Sequence, residues 1–152
     1  MRVLIIDDSI VMRKIVESAL RNCTAGVSEV LHAANGKDGL AALEASATHG
    51  LSIDLIFCDV HMPVMDGLKF LAERTAYPSL LRTPVLMITA DPGDPYLRHS
   101  IAAGAAGYIA KPFTLDQVQK AIDSVMSGSS RRIAPHHAAP SPIAPKAAGG
   151  VR

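Results

Sequence analysis

Short β-branched apolar runs recur along this chain at intervals of about 25 residues, the length a parallel β–α unit needs, and nearly every run stops on a polar residue. "VLII" (3–6) closes on Asp7-Asp8, "IDLIFC" (53–58) on Asp59, "VLMIT" (85–89) on Thr89, and "YIA" (108–110) on Lys111. The more polar "VSEVLHAA" (27–34) ends at Asn35-Gly36, which reads as turn chemistry, and its polarity suits a position near a sheet edge. Continuous apolar runs without alternation imply strands buried on both faces. Such strands need helices above and below them, so the pattern predicts an α/β domain built on a parallel sheet.

The intervening stretches supply those helices. Ser9 is placed to cap "IVMRKIVESALRN", in which Val11, Ile15 and Ala19 fall at four-residue spacing. "KDGLAALEASATH" (37–49) and "DGLKFLAERTAY" (66–77) read as the second and third helices. A fourth is expected from about Asp94 to Ala103, stopped by Gly104. Thr114 caps the fifth, "LDQVQKAIDSVM", whose Leu115, Val118, Ala121, Ile122 and Val125 line one face.

The folded unit is expected over residues 1–126, which carry all 14 Asp+Glu and all but four of the 15 Lys+Arg. Residues 127–152 form a Pro/Ala-rich basic tail that is expected to be disordered. Its four dispersed cations are too few to read as a nucleic-acid site, and no nucleic acid is expected as a partner. His136-His137 within it are open to metal binding or to simple solvation. Cys23 and Cys58 fit neither a disulfide framework nor a metal site. No apolar run approaches the length of a membrane span, so no membrane partner is expected and a cytoplasmic location is.

In an open parallel sheet, functional groups collect outside the carboxyl ends of the strands. Asp7, Asp8, Asp59, Thr89 and Lys111 would therefore meet on one rim. Clustered carboxylates repel one another unless a cation joins them. A hard divalent ion prefers oxygen ligands, so Asp7, Asp8 and Asp59 read as a Mg²⁺ site with coordination positions left open. Lys111 adds a point charge suited to phosphate, and Thr89 a hydroxyl donor. Asp59 is then available as a nucleophile towards phosphorus, giving an aspartyl phosphate.

"DDS" after the first strand, "DVHMPVMDG" after the third, "TA" after the fourth and "KPF" after the fifth together resemble the response-regulator receiver family, of the stand-alone CheY-like kind. The resemblance covers residues 1–126. It implies a doubly wound five-stranded (βα)5 flavodoxin/CheY-like fold with strand order 2-1-3-4-5. It implies Asp59 as phosphoacceptor, Asp7 and Asp8 as the acidic metal-binding pair, and a fourth metal ligand in the backbone carbonyl of His61. Thr89 and Tyr108 match the family's switch pair, and the Lys111-Pro112 bond is expected to be cis. The implied partners are a sensor histidine kinase or histidine-phosphotransfer protein, and an effector bound through residues of about 94–126. The chain is expected as a monomer or a phosphorylation-dependent dimer.

Several readings stay open at this point. The His61 side chain is either solvated or lies over the phosphoryl group, where it and Asp91 would modulate phosphate lifetime. Tyr108 is either ordinary core or part of the switch. The resemblance fits a chemotaxis-type switch and equally a phosphorelay intermediate or phosphate sink. A haloacid-dehalogenase-type phosphatase uses similar groups, but it places a D-x-D nucleophile after its first strand, whereas "DVH" lacks the second aspartate. The chain is therefore expected not to be an enzyme beyond its own phosphorylation and dephosphorylation.

Overall fold

The computed structural model describes residues 1–23 and 26–128, so the expectations for residues 129–152, His136 and His137 included, lie outside the described residues. Five parallel strands form one sheet: β1 (Arg2–Ile6), β2 (Glu29–Ala33), β3 (Leu55–Asp59), β4 (Val85–Thr89) and β5 (Gly107–Ala110). Their order is β2-β1-β3-β4-β5. The more polar β2 lies at one edge, as its sequence suggested, and the fully buried β3 at the centre.

Side chains alternate strictly between the two faces. Leu4, Ile6, Ile56, Cys58, Val85 and Met87 join one core with Leu43, Phe70, Leu71 and Leu97. Val3, Ile5, Leu55, Phe57, Leu86 and Ile88 join the other with Val16, Leu20, Val118 and Ile122. Both strand faces are apolar because both are covered, which is why the runs lack a two-residue alternation in sequence. The first core lies under α2 (Gly36–Thr48), α3 (Gly67–Glu73) and α4 (Pro95–Ala102), the second under α1 (Ile10–Cys23) and α5 (Leu115–Met126).

Helix starts follow local hydrogen bonding. The Ser9 hydroxyl accepts from the Met12 amide at 3.2 Å, and Thr114 and Gln117 form a reciprocal capping box. Asn35 proves to be a cap rather than a plain turn, accepting from the Asp38 amide at 2.9 Å. Gly36 then begins α2, and its lack of a side chain matters there: a Cβ would lie 2.9 Å from the Met65 carbonyl oxygen.

Three expectations need correction. The third helix stops at Glu73 and continues as two 3₁₀ turns, Arg74–Ala76 and Pro78–Leu80. Tyr77 precedes a proline, which drives it out of the helical region to φ −120°, ψ 84°. In α1 the buried stripe is Val16, Ala19 and Leu20, leaving Val11 66% and Ile15 46% exposed. Ile15 sits one residue, about 100°, round the helix from Val16 and cannot face the sheet with it. Leu115 is also half exposed, since it opens α5 ahead of the turn that enters the core.

Candidate functional site

The rim is assembled by strand register. The Asp7 amide donates to the Ala33 carbonyl at 3.1 Å, carrying the β1–β2 pairing one residue beyond the strand. The Asp7 carboxylate is thereby fixed at the mouth and buried; its Oδ1 accepts from the Ser9 amide at 2.8 Å. Arg13, one turn into α1, donates from Nη1 to the Asp7 carbonyl at 2.5 Å. Asp59 is the last residue of β3, and Val60 continues the ladder by donating to the Ile88 carbonyl at 3.1 Å. The Lys111 amide donates to the Thr89 carbonyl at 2.7 Å, extending β4–β5, and Lys111-Pro112 is cis.

These constraints bring the charges together. Lys111 Nζ stands 3.1 Å from Asp59 Oδ1 and 3.3 Å from Asp7 Oδ2. One carboxylate oxygen from each of Asp7, Asp8 and Asp59 lies within 4.8 Å of the others, with Asp8 exposed to solvent and the other two buried. Three carboxylates thus face one ammonium. Burial pushes the Asp59 carboxyl above its ordinary range, more than the Lys111 ammonium pulls it down, and the charges of Asp7 and Asp8 add to the rise. Burial alone would lower the Lys111 ammonium, but the charges of Asp59 and Asp7 outweigh it and raise the net value. An all-oxygen donor set with uncompensated negative charge fits a hard divalent cation rather than a soft one.

The β3–α3 loop is held close to this cluster. Gly67 lies against the Asp59 backbone, so a Cβ there would stand 2.4 Å from the Asp59 carbonyl oxygen. Val64 has φ 68°, a region costly for a β-branched residue, and the Met65 amide closes across it onto the Pro63 carbonyl at 2.7 Å. Met65 in turn accepts from the Gly36 amide at 2.9 Å, pinning the loop to α2.

A family model for the response regulator receiver domain matches residues 3–123. This chain belongs to that family. The receiver is 34% identical over 125 residues to the chemotaxis protein CheY-3 of Vibrio cholerae, covering 82% of this chain and 91% of that one. It is 32% identical to the chemotaxis protein CheY of Pseudomonas aeruginosa, covering 82% and 95%. Among solved structures it superposes on the chemotaxis response regulator CheY4 of Vibrio cholerae with a TM-score of 0.68 at 34% identity, covering 82% and 97%. The CheX–CheY–BeF3–Mg²⁺ complex of Borrelia burgdorferi gives a TM-score of 0.70 at 25% identity, covering 83% and 89%.

The remaining sequence-nominated residues of the receiver occupy distinct places. The buried Thr89 hydroxyl donates to the Asp91 carbonyl at 2.9 Å and accepts from the Asp91 amide at 3.1 Å, so it is engaged with the β4–α4 loop and not with Asp59. The Asp91 carboxylate accepts from the Gly93 amide at 2.8 Å. Tyr108 is partly buried against the core beneath α2, α3 and α4. The His61 side chain is 62% exposed and turned to Asp94, whose carboxylate its Nε2 contacts. Sequence reasoning missed Arg13, Asp94 and Tyr96, the ring packed against His61. Asp94-Pro95 did signal a helix start, but a pairing with a histidine 33 positions away leaves no local pattern.

Proposed function

We propose that this receiver is a single-domain response regulator whose phosphorylation at Asp59 switches binding to a partner. The observation that carries this reading is the placement of Asp59 at the strand mouth, in reach of Lys111 and beside Asp7 and Asp8. An Asp59 carboxylate oxygen attacks the phosphorus of a donor, a phosphohistidine of a sensor kinase or phosphotransfer protein. The new O–P bond forms as the donor's P–N bond breaks, and the imidazole leaves with the N–P electron pair and takes up a proton. Mg²⁺, held by Asp7, Asp8, Asp59 and the His61 carbonyl, would supply charge neutralisation for the transferred oxygens. Lys111 supports the same oxygens from the opposite strand. The phosphoryl group adds about two negative charges, giving the Thr89 hydroxyl an acceptor stronger than the Asp91 carbonyl. Thr89 turning towards it would let Tyr108 move inward and alter the surface formed by residues 94–126.

Coverage of 91% and 95% of two chemotaxis relatives supports a chemotaxis output, and the Borrelia complex supports Mg²⁺ as the ion. The exposed Ile10, Val11 and Ile15 beside the acidic mouth offer an apolar footing for the phosphodonor protein. We place the protein in the cytoplasm; among the described residues no helix is long and apolar enough to cross a membrane. It acts as an acceptor, not as an enzyme on a separate substrate.

Intact mass after incubation with acetyl phosphate tests this. A Mg²⁺-dependent gain of one phosphoryl group, absent in Asp59→Asn, is expected. If Asp59→Asn gains the same mass, the assignment of the acceptor is wrong.

A further inference from the structure

Thr89 cannot reach a phosphoryl group on Asp59 while its hydroxyl is held by Asp91, and the segment holding it is tied down elsewhere. The Asp91 carbonyl accepts from the Thr89 hydroxyl at 2.9 Å and also from the Asp94 amide at 3.2 Å. Asp94 is the cap of α4: its Oδ1 accepts from the Tyr96 amide at 2.8 Å. Its second carboxylate oxygen is not needed for the cap, and it meets His61 Nε2. The His61 ring lies against Tyr96 with centroids 5.2 Å apart at 60°. His61 is only two residues beyond Asp59, on the loop that is pinned to α2 through Met65 and Gly36.

The acceptor loop and the switch loop are therefore joined by one side-chain bridge. On one side is a loop held by backbone hydrogen bonds; on the other is the segment 90–94, which must shift for Thr89 to turn. We propose that the His61–Asp94 bridge, backed by Tyr96, is a latch that holds the β4–α4 segment in its resting arrangement and opposes activation. The proposal rests on the phosphoswitch reading given above and adds to it the element that sets how readily the switch moves. His61 and Asp94 are positioning residues here, acting on Thr89 through the Asp91 carbonyl. A ligand that stabilises the shifted arrangement must first break the bridge, so removing the bridge raises that ligand's apparent affinity.

The two Asp94 oxygens have separate partners, so variants can remove the bridge and keep the cap. An Asp94→Ser variant keeps a good helix cap, but its hydroxyl is too short to reach His61. His61→Ala removes the other partner and leaves the backbone carbonyl in place. His61→Gln retains a side-chain amide that can donate to Asp94. The measurement is beryllofluoride affinity at saturating Mg²⁺, with amide hydrogen exchange over residues 90–97 as a second readout.

Asp94→Ser and His61→Ala should each bind beryllofluoride about two- to fivefold more tightly than the parent, the range expected for a half-exposed charge-assisted contact. Exchange over 90–97 should be faster in both. The double variant should go no further than either single one, and His61→Gln should return towards the parent. A contact that only stabilised the fold would leave beryllofluoride affinity at the parent value, whatever it did to unfolding. Unchanged affinity in variants of a parent that does bind beryllofluoride overturns the latch alone. Weaker binding in the variants also overturns it, since the bridge would then be a clamp on the bound group. Failure of the parent itself to bind beryllofluoride with Mg²⁺ overturns the phosphoswitch reading and the latch with it.

Discussion

The two ends of the sheet treat charge in opposite ways. At the amino end several polar groups have partners supplied by the fold. The Arg2 amide donates to Asp54 at 2.7 Å, and its guanidinium pairs with Glu29 at 2.6 Å. The Thr83 hydroxyl donates to the Ile53 carbonyl at 2.9 Å. Arg74, 4% exposed, donates from Nη1 to the Thr83 carbonyl at 2.7 Å, and its buried Nε has no hydrogen-bond partner. At the carboxyl end three acids cluster, and the Lys111 ammonium contacts two of them, Asp7 and Asp59. Like charges concentrated at the mouth destabilise the fold, and the two apolar cores beneath them offset that penalty. One end pairs polar groups within the fold; the other leaves clustered negative charge that a cation would neutralise.

Gly67→Ala should have the largest effect, because it strikes the carboxyl end through its backbone. A Cβ 2.4 Å from the Asp59 carbonyl oxygen and 2.7 Å from the Met87 methyl forces Asp59 to move. Loss of about 3 kcal/mol of stability is expected, together with loss of beryllofluoride binding. Denaturant unfolding and ligand titration on the same sample check both.

Thr83→Val tests the amino end. Removing the hydroxyl that bridges to Ile53 should lower stability by about 1 kcal/mol while beryllofluoride affinity stays at the parent value. If that affinity falls with stability, the two ends are not separable as described.

Asp59→Asn should act in the opposite direction and stabilise the metal-free protein by about 1 kcal/mol, roughly 3–5 °C in Tm. The sign follows from the raised Asp59 carboxyl. The folded state holds this proton more tightly than the unfolded state, so the penalty is absent below the ordinary carboxylate pKa of about 4 and fully present above the raised folded value. The gap between variant and parent should therefore be widest at neutral pH and close towards about pH 3. Thermal unfolding in chelator across that range decides it; a destabilised variant at pH 7 would contradict the account.

The same contrast explains what the sequence makes legible. Strand ends announce themselves because an apolar run stopping on Asp7, Asp59, Thr89 or Lys111 is a local signal, and a parallel sheet brings all such ends to one side. The exposed Val11 and Ile15 were misplaced because two overlapping apolar stripes in α1 have similar spacing, and only packing selects the one through Val16 and Leu20. The burial of Arg74 depends on where Pro78 breaks the third helix, and the His61–Asp94 bridge depends on two loops meeting. Neither leaves a periodic trace. Tertiary side-chain pairing, not backbone propensity, is what the sequence withheld.

We propose that the charge cluster at the carboxyl end holds a cation and a phosphoryl group. Thermal unfolding of the parent and of Asp59→Asn, with and without Mg²⁺ plus beryllofluoride, tests it most directly. Ligand at ten times its dissociation constant should stabilise the parent by about 1.4 kcal/mol and leave Asp59→Asn unmoved. An equal shift in both proteins, or none in the parent, would contradict it.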